Sequence, residues 1–317
     1  MADISVISVT YNSAEDIGGF YDSLARQAID WELFVVDNAS RDDTVARLEA
    51  LAQADKRVQI IANSDNVGLA AANNQPIGRM RGEYVAIINP DLVLGDDALA
   101  RLVEYLKRHR NVVAVGPVNV DQDGHPHSSF HRGWTLAHLF MWRIFPLRLT
   151  SIIYDRVRCY EEQKVLFVSG ACLVTHRNVF EDIGGYDPEY FLTVEDVCDL
   201  CIRLSVKSGN KEVRVVPDAR VTHFRSRSVV SAPFIGIWQG ARGSIYHFRK
   251  HHGALAGWTA ATILMAATLG RVAVNVLLSP LGPRYRTSAR NQWRVLRNIV
   301  LENPIGLAAQ SAKALRS

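Results

Sequence analysis

The stretch Glu83-Tyr84-Val85-Ala86-Ile87-Ile88-Asn89-Pro90-Asp91 limits the fold more than any other part of this 317-residue chain. Its five consecutive apolar residues, Tyr84 to Ile88, form the pattern of a strand buried on both faces, which needs cover on each side of a sheet. Pro90 cannot extend a hydrogen-bonded ladder, so the strand stops at Asn89 and leaves the Asp91 carboxylate just past its carboxyl end. In open α/β sheets that edge is where ligands bind. Taken singly, Asp91 reads equally well as the lead into a helix beginning near Gly95.

The residues on either side repeat the pattern. Ile4 to Val9 is a β-rich run ending in Thr10-Tyr11-Asn12-Ser13, and a helix follows to about Ala28, with Ser13 as its cap. Leu33-Phe34-Val35-Val36 is a second buried strand, halted at Asp37-Asn38-Ala39-Ser40, and Ser40 or Asp42 can cap a helix running to about Leu51. Val58 to Ala62 is a third strand, and Gly68 to about Arg81 a third helix. Such alternation predicts an α/β fold with a mostly parallel sheet. Polar residues stand at or beyond successive strand ends: Asn12, Asp37, Asn66 and Asp91.

No G-x-G-x-x-G follows the first strand, and no P-loop is present, so any nucleotide must be held by side chains and a metal. Val9-Thr10-Tyr11-Asn12, Val35-Val36-Asp37-Asn38-Ala39-Ser40, Asn66-Val67-Gly68-Leu69-Ala70 with Asn73-Asn74, and Asn89-Pro90-Asp91 occur in that order. In this register the chain resembles the family 2 inverting glycosyltransferases of the GT-A fold, and among them the bacterial rhamnosyltransferase type, over roughly residues 3 to 250. The resemblance implies a mixed, mostly parallel Rossmann-like sheet flanked by helices and a nucleotide-diphosphate sugar donor, dTDP- or UDP-linked. It implies donor contacts from Thr10, Tyr11, Asn12, Asp37, Asn38, Asn66, Gly68, Asn73, Asn89 and Asp91, with Asp37 near the base. Pro76 departs from the family, where a glycine is common.

A departing diphosphate gains charge, which a divalent cation stabilises, and hard cations accept few protein carboxylates beside substrate oxygens and water. One aspartate plus the diphosphate is a reasonable minimum, and the resemblance implies that Asp91, matching the last Asp of the family's metal-binding motif, is the ligand of Mg²⁺ or Mn²⁺. By resemblance His223, in Val221-Thr222-His223-Phe224, completes that site; otherwise it is a histidine at a strand end. Glu195-Asp196-Val197-Cys198-Asp199-Leu200 reads as a helix start, where acids complement the dipole without any catalytic role. Relatives carry Glu-Asp-x-Asp-Leu here, which makes Glu195, Asp196 and Asp199 the catalytic candidates. The extra residue in this chain leaves Asp196, the favoured general base, in competition with Asp199. Between these motifs, 119 to 165 reads as irregular, and Ser128-Ser129-Phe130-His131-Arg132 as a surface loop or an acceptor contact. Leu166 to Val174 returns to strand character, interrupted at Ser169-Gly170-Ala171, where another group can approach the backbone. Cys198 and Cys201 lack a second pair for zinc and read as core thiols.

Charge divides the chain. From Arg220 onward there are 14 Lys and Arg against Glu302 alone, whereas the first 219 residues carry 22 basic and 31 acidic side chains. An acidic body with a basic tail implies an anionic partner for the tail. Gly253 to Gly270 holds 18 uncharged residues flanked by cations, which is read as an interfacial, spanning or buried helix, the interfacial reading being favoured. The expected division is a catalytic domain over 1–230 and a basic, apolar, membrane-associating helical extension over 231–317. Four cysteines and no secretory signal in view suit a reducing setting. The expected place is therefore peripheral, on the cytoplasmic face of a bacterial inner membrane, with a glycan or lipid-linked acceptor and no nucleic acid. A membrane-associated nucleotide-sugar-binding protein without turnover is the competing expectation, raised by the altered spacing after Asp196.

Overall fold

Buried strand runs and amphipathic helices assemble, in a computed structural model describing residues 2–126, 129–144, 161–191, 193–224 and 233–301, around one nine-stranded sheet. Strands β1 (Ile4–Thr10), β2 (Trp31–Asp37), β3 (Val58–Ala62) and β4 (Tyr84–Ile88) lie parallel in the order β3-β2-β1-β4. The later strands are β5 (Leu92–Leu94), β6 (Val112–Val120), β7 (Phe130–His131), β8 (Gln163–Val165), β9 (Phe167–Val168), β10 (Cys172–His176) and β11 (Glu212–His223). β10 inserts antiparallel between β4 and β6, and β11 runs parallel to β6 and antiparallel to β5 and β8. β7 and β9 form a separate two-stranded ribbon.

Both faces of the sheet are covered, as the unbroken apolar run of β4 requires. Val85 and Ile87 point into one core with Phe34 and Leu173, while Tyr84, Ala86 and Ile88 point into the other with Leu33 and Val35. The second core is roofed by α1 (Ile17–Ala25) and α4 (Ala98–Arg108) through Phe20, Leu24, Leu99 and Leu102. Two further helices flank the early strands, α2 (Thr44–Ala54) and α3 (Leu69–Asn74), and α5 (Leu136–Ile144) and α6 (Arg177–Asp182) follow. The first core takes in α7 (Glu195–Lys207), α8 (Pro233–His252), α9 (Ala254–Leu277) and α10 (Pro283–Leu301). The expected boundary at residue 230 lies outside the described residues; beyond it, Trp238, Ile245, Leu264 and Val295 share this core with Val197 and Leu200.

Several elements differ from the sequence reading for identifiable reasons. α3 ends at Asn74 instead of running to Arg81, because Pro76 has no N–H to donate and its ring opposes a preceding carbonyl. α1 starts at Ile17 and not at Ser13, whose carbonyl closes a turn by accepting from the N–H groups of Asp16 and Ile17. Ser40 caps nothing; Asp42 instead accepts from Thr44 at the start of α2. Asp91 leads into the short strand β5 and not into a helix, and α4 begins only after Asp97. β6 continues past Pro117 to Val120, and the stretch read as irregular contains β7, β8 and α5.

Candidate active site

The carboxyl ends of β1 and β2 are tied into one rim. Asn12 adopts a left-handed backbone (φ 53°), a conformation asparagine tolerates better than most residues. Its N–H donates to Ser40 Oγ and its Oδ1 accepts from the Arg41 N–H, each at 2.8 Å. Asp37 is buried and accepts from the Thr10 hydroxyl at 3.0 Å and from the Ser40 N–H and hydroxyl. Asn38 donates to Asn66 Oδ1 at 2.9 Å and to the Gly68 carbonyl, and accepts from the Val67 N–H. These side chains shape the rim by holding one another. Gly68 is required there: its φ is +89°, and a Cβ would stand 2.7 Å from the Phe191 ring. Asn73 donates to the Leu69 carbonyl, Tyr11 is partly exposed, and the Asn89 N–H donates to the Ala171 carbonyl at 2.9 Å.

At the next strand end the polar groups are less satisfied. Antiparallel pairing of β5 with β11 sets Leu92 opposite His223 and lets the Phe224 N–H donate to the Asp91 carbonyl. Asp91 and His223 thereby meet, with Oδ2 of the carboxylate 3.3 Å from Nε2 of the imidazole. Both Asp91 oxygens are buried and accept no hydrogen bond from the described residues. A buried carboxylate left in that state is costly, and a cation is the ligand that removes the cost. Asp16 adds to this: burial and then the nearby Asp91 charge push its carboxyl up. A carboxylate with an imidazole beside it and a second carboxylate within electrostatic range suits a divalent cation such as Mn²⁺ or Mg²⁺.

The second cluster of acids is at the start of α7. The break at Ser169-Gly170-Ala171 brings it near the first: Ala171 bonds Asn89, while a Cβ on Gly170 would lie 3.6 Å from Val197, the neighbour of Asp196. Asp196 is buried and accepts from the Val197 N–H and, at 3.5 Å, the Thr193 N–H. Burial outweighs those two donors, and with the charges of Glu195 and Asp199 it pushes the carboxyl up to about 7. Glu195 is also buried and raised by desolvation, although the Ser244 hydroxyl donates to it and Arg143 attracts it. Asp199 behaves in the opposite way. Its oxygens lie 2.6 Å from Arg203 and Lys250 and 2.8 Å from His251, and these partners outweigh burial to hold it well below the usual carboxylate range. A carboxylate so engaged is a poor proton acceptor, so the geometry separates the two candidates. Cys198 and Cys201 are buried with their thiols pushed up, consistent with core packing.

The sequence model described as Glycosyl transferase family 2 matches residues 5–184. The chain belongs to glycosyltransferase family 2. This family 2 glycosyltransferase is 30% identical over 251 residues to the N-acetylglucosaminyl-diphospho-decaprenol L-rhamnosyltransferase of Mycobacterium tuberculosis, covering 74% of this chain and 80% of that one. It is 30% identical over 129 residues to the putative teichuronic acid biosynthesis glycosyltransferase TuaG of Bacillus subtilis, covering 40% and 51%. Its fold is like that of the mannosyltransferase PcManGT from Pyrobaculum calidifontis, solved with GDP-Man and Mn²⁺. That likeness has a TM-score of 0.56 at 19% identity, over 95% of this chain and 87% of that one. The GT-A, rhamnosyltransferase-like reading of the four motifs is therefore correct.

Sequence reasoning missed residues whose partners are distant in the chain. Asn74, read only as part of a motif, donates to the Tyr186 carbonyl and accepts from the Tyr186 N–H, joining α3 to the segment before the acids. Ser244, Lys250 and His251 of α8 grip Glu195 and Asp199, and Arg242 grips Glu189. No local signal marks them, although α8 is rich in cations at its end and α7 in acids at its start.

Proposed function

We propose that this family 2 glycosyltransferase moves a hexose, L-rhamnose in the first instance, from a dTDP- or UDP-linked donor to a hydroxyl of a glycan or polyprenyl-diphosphate-linked acceptor, with inversion. The role lies in cell-envelope polysaccharide synthesis, as the names of the Mycobacterium and Bacillus relatives suggest. The observation that carries the reading is a pair of unlike carboxylates: Asp91, buried without a hydrogen bond beside His223, and Asp196, buried and raised to about 7.

Asp196 removes the proton from the acceptor hydroxyl as its oxygen bonds to the anomeric carbon, and the bond from that carbon to the diphosphate breaks on the opposite side. A carboxyl poised near 7 matches a general base working at neutral pH. Asp91 and His223 would hold the cation, with Asp16 nearby, and the cation supplies stabilisation for charge growing on the leaving diphosphate. Asp37, Asn12 and Asn38 maintain the rim that receives the nucleoside. Glu195 accepts from the Ser244 hydroxyl and so helps fix the α7 terminus.

The reading without turnover drew support from the altered spacing after Asp196. The structure supplies another reason for that spacing, since Asp199 pairs with α8 while Asp196 keeps the buried, raised position. A panel of nucleotide sugars with Mn²⁺ or Mg²⁺ tests the proposal. One donor is expected to raise Tm only when metal is present and to release its nucleoside diphosphate faster when acceptor is added. Stabilisation by a donor with no turnover under any acceptor would favour the binding-protein reading.

A further inference from the structure

Helix α9 carries no charge before Arg271, and the protein covers only one of its faces. Gly257, Ala260, Ala261, Leu264, Ala267 and Thr268 are buried against the body, and Arg271 on the same face donates to the Arg143 carbonyl at 2.7 Å. On the opposite face Leu255, Trp258, Leu269 and Val276 are exposed, and at about 100° per residue they fall within an arc of roughly 60°. Thr262, Ala266 and Ala273 fill the gaps between them and are exposed as well. The result is an uncharged stripe about 32 Å long.

Helix α10 packs on α9 and shows a second one-sided pattern. Val295 and Ile299 are buried, while Arg286, Arg290, Trp293, Arg297 and Val300 are exposed along one line. Across 233–301 there are nine Lys and Arg and no acid.

We infer that the exposed faces of α9 and α10 form a docking surface for an anionic bilayer, lying in the plane of one leaflet. An apolar stripe of this length marks an interaction site, and arginines interleaved with tryptophan suit the headgroup boundary. A second copy fits worse, because a two-fold interface would set arginines against arginines with no acid in either segment. A spanning helix fits worse too, because the buried face and Arg271 are committed to the body. α9 follows α8 directly through Gly253, so the surface that meets lipid is one joint away from the helix gripping Glu195 and Asp199. The inference stands apart from the donor chemistry, since it is read without donor or metal.

The test is co-sedimentation of the full chain with phosphatidylcholine vesicles, with or without phosphatidylglycerol. Binding is expected with phosphatidylglycerol at low salt, to fall as salt rises, and to be weak with phosphatidylcholine alone. Arg286→Gln, Arg290→Gln and Arg297→Gln are each expected to weaken it about fivefold. Trp258→Ser with Leu269→Ser is expected to weaken it by roughly tenfold or more, with Tm unchanged because both side chains face outward. Protein left in the supernatant at low salt overturns the inference. So does concentration-dependent dimerisation abolished by Trp258→Ser, or attachment that resists both salt and alkaline extraction.

Discussion

At Asp196 the fold and the chemistry make opposite demands on one carboxyl. Burial raises it to about 7 against an ordinary 3.8, so the folded state binds a proton that the unfolded chain releases. The stability linked to that proton is complete below about pH 4 and is lost as pH rises through about 7. Transfer is expected to rise over the same upper range, because only the deprotonated carboxylate can act as base. Asp196→Asn is expected to lower transfer roughly 10²–10⁴-fold with donor binding retained, and to raise Tm at pH 8 by removing the buried charge. A lower Tm at pH 8 would show that Asp196 is not desolvated in this way. Asp199 has the opposite sign: its carboxyl is held low, so its contribution is present above about pH 4 and lost as acid protonates it. Asp199→Asn leaves Lys250 and His251 facing a neutral partner and is expected to cost roughly 3–5 kcal/mol in urea unfolding while sparing metal binding. Asp91→Asn is expected to do the reverse, abolishing metal-dependent stabilisation by donor with little loss of Tm. Asp37, Asp91 and Asp196 were legible because each follows a strong local signal, a strand end or a helix start. The different surroundings of Asp196 and Asp199 were not legible, because they depend on Lys250 and His251, which only the fold brings near.

Helices and strands were readable where a long periodic or apolar run set them, and misread where one residue overrode the pattern. The parallel strands β1 to β4 follow from their apolar runs. Pro76 cut α3 to Leu69–Asn74, and β5 was hidden because three residues after a proline carry too little periodicity to register. β5 is held from outside, with the Leu94 N–H donating to Ser23 Oγ and Gln27 Nε2 donating to the Gly95 carbonyl, both contacts reaching back to α1 and its end. That bracing keeps Asp91 on its rim. The junction at α3 is equally constrained: the Leu69 N–H donates to the Phe191 carbonyl at 2.7 Å, and Gly68 allows the close approach. Gly68→Ala forces a methyl group toward the Phe191 ring at a positive φ, so it is expected to cost on the order of 1–3 kcal/mol. Because Phe191 lies in the segment leading to Asp196, it should also lower transfer. Equal Tm and equal turnover in that variant would contradict this link.

At the scale of the molecule, two cores on the two faces of one sheet carry different duties. One, with α1 and α4, fixes the strand ends that form the polar rim; the other, with α7 to α10, fixes the acids and extends into the basic helices. The sequence showed the acidic body and the basic tail but not that they share a core. Contacts such as Ser244 with Glu195 span 49 residues and leave no periodic trace. The proposed inversion rests on one base candidate, Asp196, and one candidate cation site, at Asp91 and His223, serving a single displacement at the anomeric carbon. The anomeric configuration of the transferred sugar tests that most directly, read by NMR on the product formed from the active donor. A configuration opposite to that of the donor is expected, formed at a rate that falls with Asp196→Asn. Retained configuration, or an unchanged rate in that variant, would contradict it.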